Sequence, residues 1–117
     1  MIYPLSSSSR LSFERIFSSI KKALGGGAPQ DFKQLLDDGA LVVDVRTPGE
    51  FKSGHVKGSI NISLGDLNKK MGQFKGKTVI TVCASGMRSG QAKGMLLKNG
   101  VTAHNGGPWG RIAKLKN

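Results

Sequence analysis

The sequence predicts an α/β fold: a small parallel sheet of four to five strands with helices on both faces. Three observations carry this reading. Residues 41–45 and 78–82 are short, near-continuous runs of apolar and β-branched side chains, as expected of strands covered on both faces of a parallel sheet. Segments with apolar residues at helical spacing stand between and after them, which is βαβ alternation. Glycine is abundant, at 17 of 117 residues, as suits a chain with many tight strand-to-helix turns. A chain of this length builds one domain around a single core.

The elements follow in order. Residues 1–27 read as an N-terminal extension, and 28–117 as the domain. Residues 6–9 are all serine; Leu11, Ile16, Phe17, Ile20 and Leu24 then fall near one face of an amphipathic helix, and Gly25, Gly26 and Gly27 end it as a linker. We read this helix as an accessory packed on the domain. Two other readings stand beside it: a basic face over residues 10–24 that touches a membrane surface or a partner, and a serine-rich, acid-poor organellar targeting segment. Residues 29–38 read as a helix, with Pro29 near its first turn, Phe32, Leu35 and Leu36 on one side and Gly39 as the stop. Residues 25–28 are poor strand material, so the sheet is expected to lack an edge strand there. Residues 41–45 form a buried strand that runs into a turn at Thr47, Pro48 and Gly49.

A short strand at 60–62 and a short helix at 64–71 follow, then the central strand at 78–82. Ala92, Met95 and Leu96 mark the next helix, which Asn99 and Gly100 stop. Residues 101–103 read as a weak strand, 106–108 as a turn and 109–116 as a final helix. Trp109 belongs to the core or to a pocket wall.

The chemistry concentrates after the central strand. Cys83, the single cysteine, falls between that strand and the next helix, the edge at which open α/β sheets bind ligands. A thiol acts as a nucleophile in its ionised form, and a cation or a helix N-terminus lowers its pKa from about 8.5. Arg88 supplies the cation, and Gly86 allows the tight turn that lets the N–H groups of Ala84, Ser85, Gly86, Met87, Arg88 and Ser89 converge on the sulfur. The loop reads as a cradle for a small anion with a nucleophile at its floor. A buried structural thiol is the bland alternative. A cysteine phosphatase or arsenate enzyme is another, but a loop that wraps a tetrahedral anion needs a longer spacing than Ala84, Ser85, Gly86 and Met87 provide. The shorter loop suits a terminal sulfur atom.

Other polar residues read as support. Asp44, buried at the end of its strand, needs hydrogen-bond partners near the active-site end. Arg46 and Glu50, four apart across a turn, are expected to pair, with Arg46 adding to the positive field over Cys83 as the lesser reading. His55 invites a reading as a base for Cys83, but a thiolate held by backbone N–H groups and Arg88 needs none, and the histidine reads as structural. His104 has no neighbour at metal-ligand spacing, and no metal is expected.

These residues also carry a family resemblance. Cys83, Gly86, Arg88 and Ser89 match, position by position, the active-site loop of rhodanese-type sulfurtransferases. The resemblance extends upstream through residues 41–46, Glu50 and Phe51, Gly54, His55 and Val56, and residues 58–62. Downstream it takes in Gly106, Gly107 and Trp109, so that it covers roughly residues 28–117. It implies a rhodanese-like three-layer fold and a persulfide on Cys83, with no other cofactor. Sulfane sulfur from thiosulfate or a persulfide donor would pass through Cys83 to a thiol, to cyanide or to a protein acceptor. Arg88 would lower the thiol pKa and help bind the donor, with Ser85 and Ser89 adding hydroxyl donors. The matching histidine, His55, belongs to a structural turn. A non-catalytic interaction module on the same fold is the alternative function.

Composition narrows the partners. The net charge is +11, but the lysines form no dense run and no aromatic platform accompanies them, so a surface that attracts small anions fits better than a nucleic-acid site. One cysteine forms no internal disulfide, no secretory apolar core is visible, and no run approaches the roughly 20 apolar residues of a membrane span. The expected location is the cytoplasm.

Overall fold

Four parallel strands form one sheet in the order β2-β1-β3-β4 in the computed structural model, which describes residues 31–116. The strands are β1 (Leu41–Asp44), β2 (Ile60–Asn61), β3 (Thr78–Cys83) and β4 (Thr102–Pro108). The helices are α1 (Phe32–Asp37), α2 (Pro48–Ser53), α3 (Met87–Lys98) and α4 (Trp109–Lys116), with a 3-10 helix at Leu64–Phe74. The expected extension at 1–27, the linker and the expected helix start at Pro29 lie outside the described residues.

Alternation along the two inner strands explains the layers. Val43, Val79 and Cys83 point into a cluster with Leu67, Phe74, Ala92 and Leu96, under α3 and the 3-10 helix. Val42, Ile80 and Val82 point the other way, against Ile112, Trp109, Phe32, Leu35 and Leu36 of α4 and α1. Side chains two apart share a face of a strand, so two adjacent apolar positions serve two cores. That is why these strands read as unbroken apolar runs rather than alternating ones.

The strand order places a topological switch between β1 and β3. The chain leaves β1 toward β2 on one side and leaves β3 toward β4 on the other. Their carboxyl ends therefore open a crevice that no crossover covers, where α/β proteins bind ligands. Cys83 ends β3 at that crevice, and the segment from Arg46 through α2 follows β1 into it.

Three elements depart from expectation. Residues 47–49 begin a short helix rather than a plain turn. Thr47 caps α2, its Oγ1 accepting the Glu50 N–H (3.3 Å) while Glu50 Oε1 accepts the Thr47 N–H (3.0 Å), a capping box with proline in the first turn. The helix at 64–71 is a 3-10 helix that runs on to Phe74. Its apolar residues come in threes, Leu64 with Leu67 and Met71 with Phe74, and Gly65 and Gly72 weaken an α-helix. Finally β4 continues through Gly106, Gly107 and Pro108, where a turn was expected. A side chain at Gly106 would stand 2.8 Å from Ile80 and 3.0 Å from the Thr81 carbonyl, so glycine lets β4 lie flat against β3. The register shifts between Thr81 and Val82, which pairs Val82 with Gly107 and Cys83 with Pro108.

Candidate active site

The Cys83 sulfur is fully buried, yet polar groups surround it. The Gly86 N–H donates to it at 2.9 Å and the Ser89 N–H at 3.4 Å, and its S–H donates to Ser89 Oγ at 3.4 Å. Gly86 can turn its amide inward because it adopts φ +108°, a conformation that L side chains rarely adopt. The first turn of α3 brings the Ser89 amide round to the same sulfur. Burial pushes the Cys83 thiol up, but the Ser89 hydroxyl and the N–H groups of Ser89, Gly86 and Ser85 outweigh it, and the net direction is down. A thiol buried among apolar groups alone would move the other way.

The loop is thus narrower in function than its sequence suggested. Of the amides from Ala84 to Ser89, those of Gly86 and Ser89 reach the sulfur, and that of Ser85 also favours its anion. Ser85 contributes this N–H while its exposed hydroxyl makes no hydrogen bond to the sulfur. Ala84 and Met87 are exposed on the rim, Met87 at 75%.

Arg88 does not spend its charge on the thiol first. Its guanidinium grips Glu50, Nη1 to Oε1 at 2.9 Å and Nη2 to Oε2 at 3.1 Å. Its pKa is raised chiefly by that hydrogen bond, with a smaller attraction to Cys83. Glu50 in turn is held down to about 2, by Arg88 first and then by the Thr47 amide.

The expected Arg46–Glu50 pair is therefore replaced. Two residues apart at the end of a strand, Arg46 and Asp44 share a face, and Arg46 closes back on the fully buried Asp44: Nη2 to Oδ2 at 2.7 Å, Nε to Oδ1 at 2.9 Å and its backbone N–H to Oδ1 at 3.0 Å. The guanidinium also donates to the Gly54 carbonyl (2.6 Å) and lies 4.9 Å from the Trp109 ring centroid. It ties the end of β1 to α2 and α4 and adds no free charge over Cys83. Asn61 completes the knot through its bonds to the Asp44 and Arg46 carbonyls.

His55 stacks on Phe51, with ring centroids 3.7 Å apart, and its Nδ1 bonds the Phe51 carbonyl at 2.7 Å, so it caps α2 and makes no hydrogen bond to the sulfur. His104 is pushed down by burial and by Lys93. Among the described residues no three His, Cys, Asp or Glu side chains gather as a metal would require.

Two participants had no signal strong enough to single them out. Asn105 on β4 accepts the Ser89 hydroxyl at 2.6 Å and donates to the Gly86 carbonyl at 3.2 Å. Thr81 anchors the first turn of α3 by donating to the Ser89 carbonyl at 2.8 Å. Both are polar residues inside strands, where only the partner explains them. The capping box, by contrast, had a signal that the turn reading passed over, threonine three residues before glutamate with proline between.

A parallel sheet with an amide-lined cysteine loop at its switch point is consistent with the rhodanese class, and the family match makes the assignment. The chain belongs to the Rhodanese-like domain family, which it matches over residues 28–107. It is 41% identical over 64 residues to an uncharacterized protein, YqhL, of Bacillus subtilis, covering 54% of this chain and 51% of that one. It is 38% identical over 63 residues to the thiosulfate sulfurtransferase PspE of Escherichia coli, covering 51% and 61%. Other relatives are named tRNA sulfurtransferase and tRNA uridine(34) hydroxylase. A solved structure, described as rhodanese with anions from E. coli, superposes with a TM-score of 0.59 at 35% identity, over 63% of this chain and 92% of that one. The chain spans about half or less of the length of several curated relatives that it matches. Among the described residues no helix is long and apolar enough to cross a membrane.

Proposed function

We propose that this protein is a sulfurtransferase that carries sulfane sulfur as a persulfide on Cys83, with thiosulfate as a donor. The observation that carries the reading is the pair of amide donors on the Cys83 sulfur, with the Ser89 hydroxyl beside it at 3.4 Å, which favours its anion without a neighbouring base. The thiolate attacks the outer sulfur of thiosulfate. A bond forms between the Cys83 sulfur and that atom, the S–S bond of thiosulfate breaks, and sulfite leaves with the electron pair. A thiolate, cyanide or a protein thiol then attacks the terminal sulfur, and Cys83 leaves as thiolate. The persulfide is the only carrier the cycle needs, and a reducing compartment such as the cytoplasm supplies thiol acceptors.

The donor's charged end needs a cation, and two arginines stand by the loop. Arg88 is engaged by Glu50. Arg111, in the first turn of α4, lays its guanidinium 3.4–3.7 Å from where a Gly107 side chain would begin, and a side chain on Gly86 would stand 3.5 Å from the Gly107 Cα. Arg111 makes no ion pair among the described residues, and we assign it to the sulfonate end of the donor.

Complete burial of Cys83 favours a second reading, a docking module whose thiol never reacts. Incubation with thiosulfate followed by intact-mass measurement separates the two. Transfer gives an adduct of about 32 Da, one sulfur, that thiols remove and that Cys83→Ser abolishes. An unmodified protein under the same conditions overturns the proposal.

A further inference from the structure

We propose that Asn105 is a positioning residue for the Cys83 sulfur, acting through Ser89 by competing for the single proton of its hydroxyl. The idea rests on the sulfur chemistry above only in what the sulfur is for; the geometry stands by itself. Ser89 is buried, and its hydroxyl has two neighbours, Asn105 Oδ1 at 2.6 Å and the Cys83 sulfur at 3.4 Å. A hydroxyl has one proton to give. While the sulfur is a thiol, S–H donates to Ser89 Oγ and Ser89 donates to Asn105, a chain in which every proton is placed. Once the sulfur is an anion it has nothing to donate and needs a donor, so the Ser89 proton must turn from Asn105 to the sulfur.

Asn105 is built to let it go. Its Oδ1 also accepts the Gly107 N–H at 2.9 Å, so it keeps a partner when the serine proton leaves. Its Nδ2 donates to the carbonyl of Gly86, the residue whose N–H makes the shortest bond to the sulfur. One amide thus braces both donors, the hydroxyl on one side and the Gly86 peptide on the other. Its orientation follows from these partners: an N–H faces its oxygen and a carbonyl faces its nitrogen. Gly90 leaves room for it, because a side chain there would stand 3.2 Å from Nδ2.

Charged and titratable groups on the surrounding elements are the Arg88–Glu50 pair at the loop mouth, Arg111 against Gly107, and His104 beside Asn105 with Lys93 of α3. None of them hydrogen-bonds the Ser89 hydroxyl, which leaves Asn105 as its competitor for the sulfur.

Asn105→Asp tests this. A carboxylate holds the serine proton more strongly and offers the Gly86 carbonyl no donor. The thiol, followed by the pH dependence of its alkylation by iodoacetamide, should titrate about one unit higher, an approximately tenfold loss of thiolate at fixed pH below the titration. The same substitution is then made in Ser89→Ala. If Asn105 acts through the hydroxyl, the shift shrinks by more than half in that background. An equal shift in both backgrounds comes from charge acting through space or from the lost bond to the Gly86 carbonyl, not from the hydroxyl, and overturns the proposal. Should Asn105→Asp fail to fold by circular dichroism, Asn105→Ala goes through the same pair of backgrounds. A shift that depends on Ser89 then supports the idea, and one that ignores Ser89 sinks it. Alkylation reads the thiol without presuming sulfur transfer. Coupling found in a protein that thiosulfate leaves unmodified would therefore overturn the proposed function and uphold the role of Asn105.

Discussion

Glu50 and Arg88, 38 residues apart, face each other through two parallel hydrogen bonds across the crevice between β1 and β3. Glu50 is fixed at the start of α2 by the capping box, and Arg88 stands in the first turn of α3. The pair pins the Cys83 loop to the neighbouring strand's outlet and takes up much of the one positive charge within the loop. Charge and position can be separated experimentally, because glutamine keeps a capping box. Glu50→Gln should free Arg88 toward the sulfur, so the thiol titrates lower than in the parent while thermal stability barely changes, because solvent screens the exposed pair. An alkylation profile and a melting curve check the two halves.

Acid should act on the same pair. The folded pKa of Glu50 is about 2 against 4.5 ordinarily, so the native state binds fewer protons between those values. The pair's contribution is then complete above pH 4.5 and is lost as pH falls through about 2. Both side chains are more than a third exposed, at 36% and 37%, so solvent keeps this contribution small. Urea midpoints across that window should converge for the parent and Glu50→Gln.

For Cys83 the sign runs the same way at higher pH. Its folded pKa lies below the ordinary thiol value, so stability rises with pH from the folded value up to about 8.5, where the unfolded chain also ionises. Iodoacetamide capture should reach half its maximal rate below that pH. Because the sulfur is fully buried, the maximal rate should fall short of that of a free thiolate.

Gly86→Ala is expected to damage both the loop and the thiol. The backbone φ of +108° costs an L side chain about 1–2 kcal/mol, although the added methyl meets Gly107 Cα at an ordinary 3.5 Å. Relaxing that strain swings the Gly86 N–H off the sulfur. The melting point should drop and the thiol should titrate higher; a drop in stability with an unchanged thiol would separate the two effects.

Asp44→Ala should be far more costly. It leaves the Arg46 guanidinium buried, with one carbonyl and a ring in place of its carboxylate. Breaking a buried pair from one side costs about 3–5 kcal/mol, measurable by urea unfolding. Arg46→Lys should recover little, since one ammonium cannot replace the forked bonds to Asp44 and Gly54.

The βαβ order, the two inner strands, the place of Cys83 at the end of β3 and the turn at Gly86 could be read along the chain, because periodicity and backbone freedom are properties of a few consecutive residues. The capping box was equally local, with Thr47, Pro48 and Glu50 as its signal, yet the segment read as a plain turn. Which charges meet was another matter. Arg46 turned to Asp44, Glu50 to Arg88, and Asn105 reached Ser89, pairings set by which strands lie side by side. Those partners, and with them the extension of β4 through its glycines, emerge once the strands pack, because a contact at 2.8 Å from a strand neighbour has no trace in spacing along the chain.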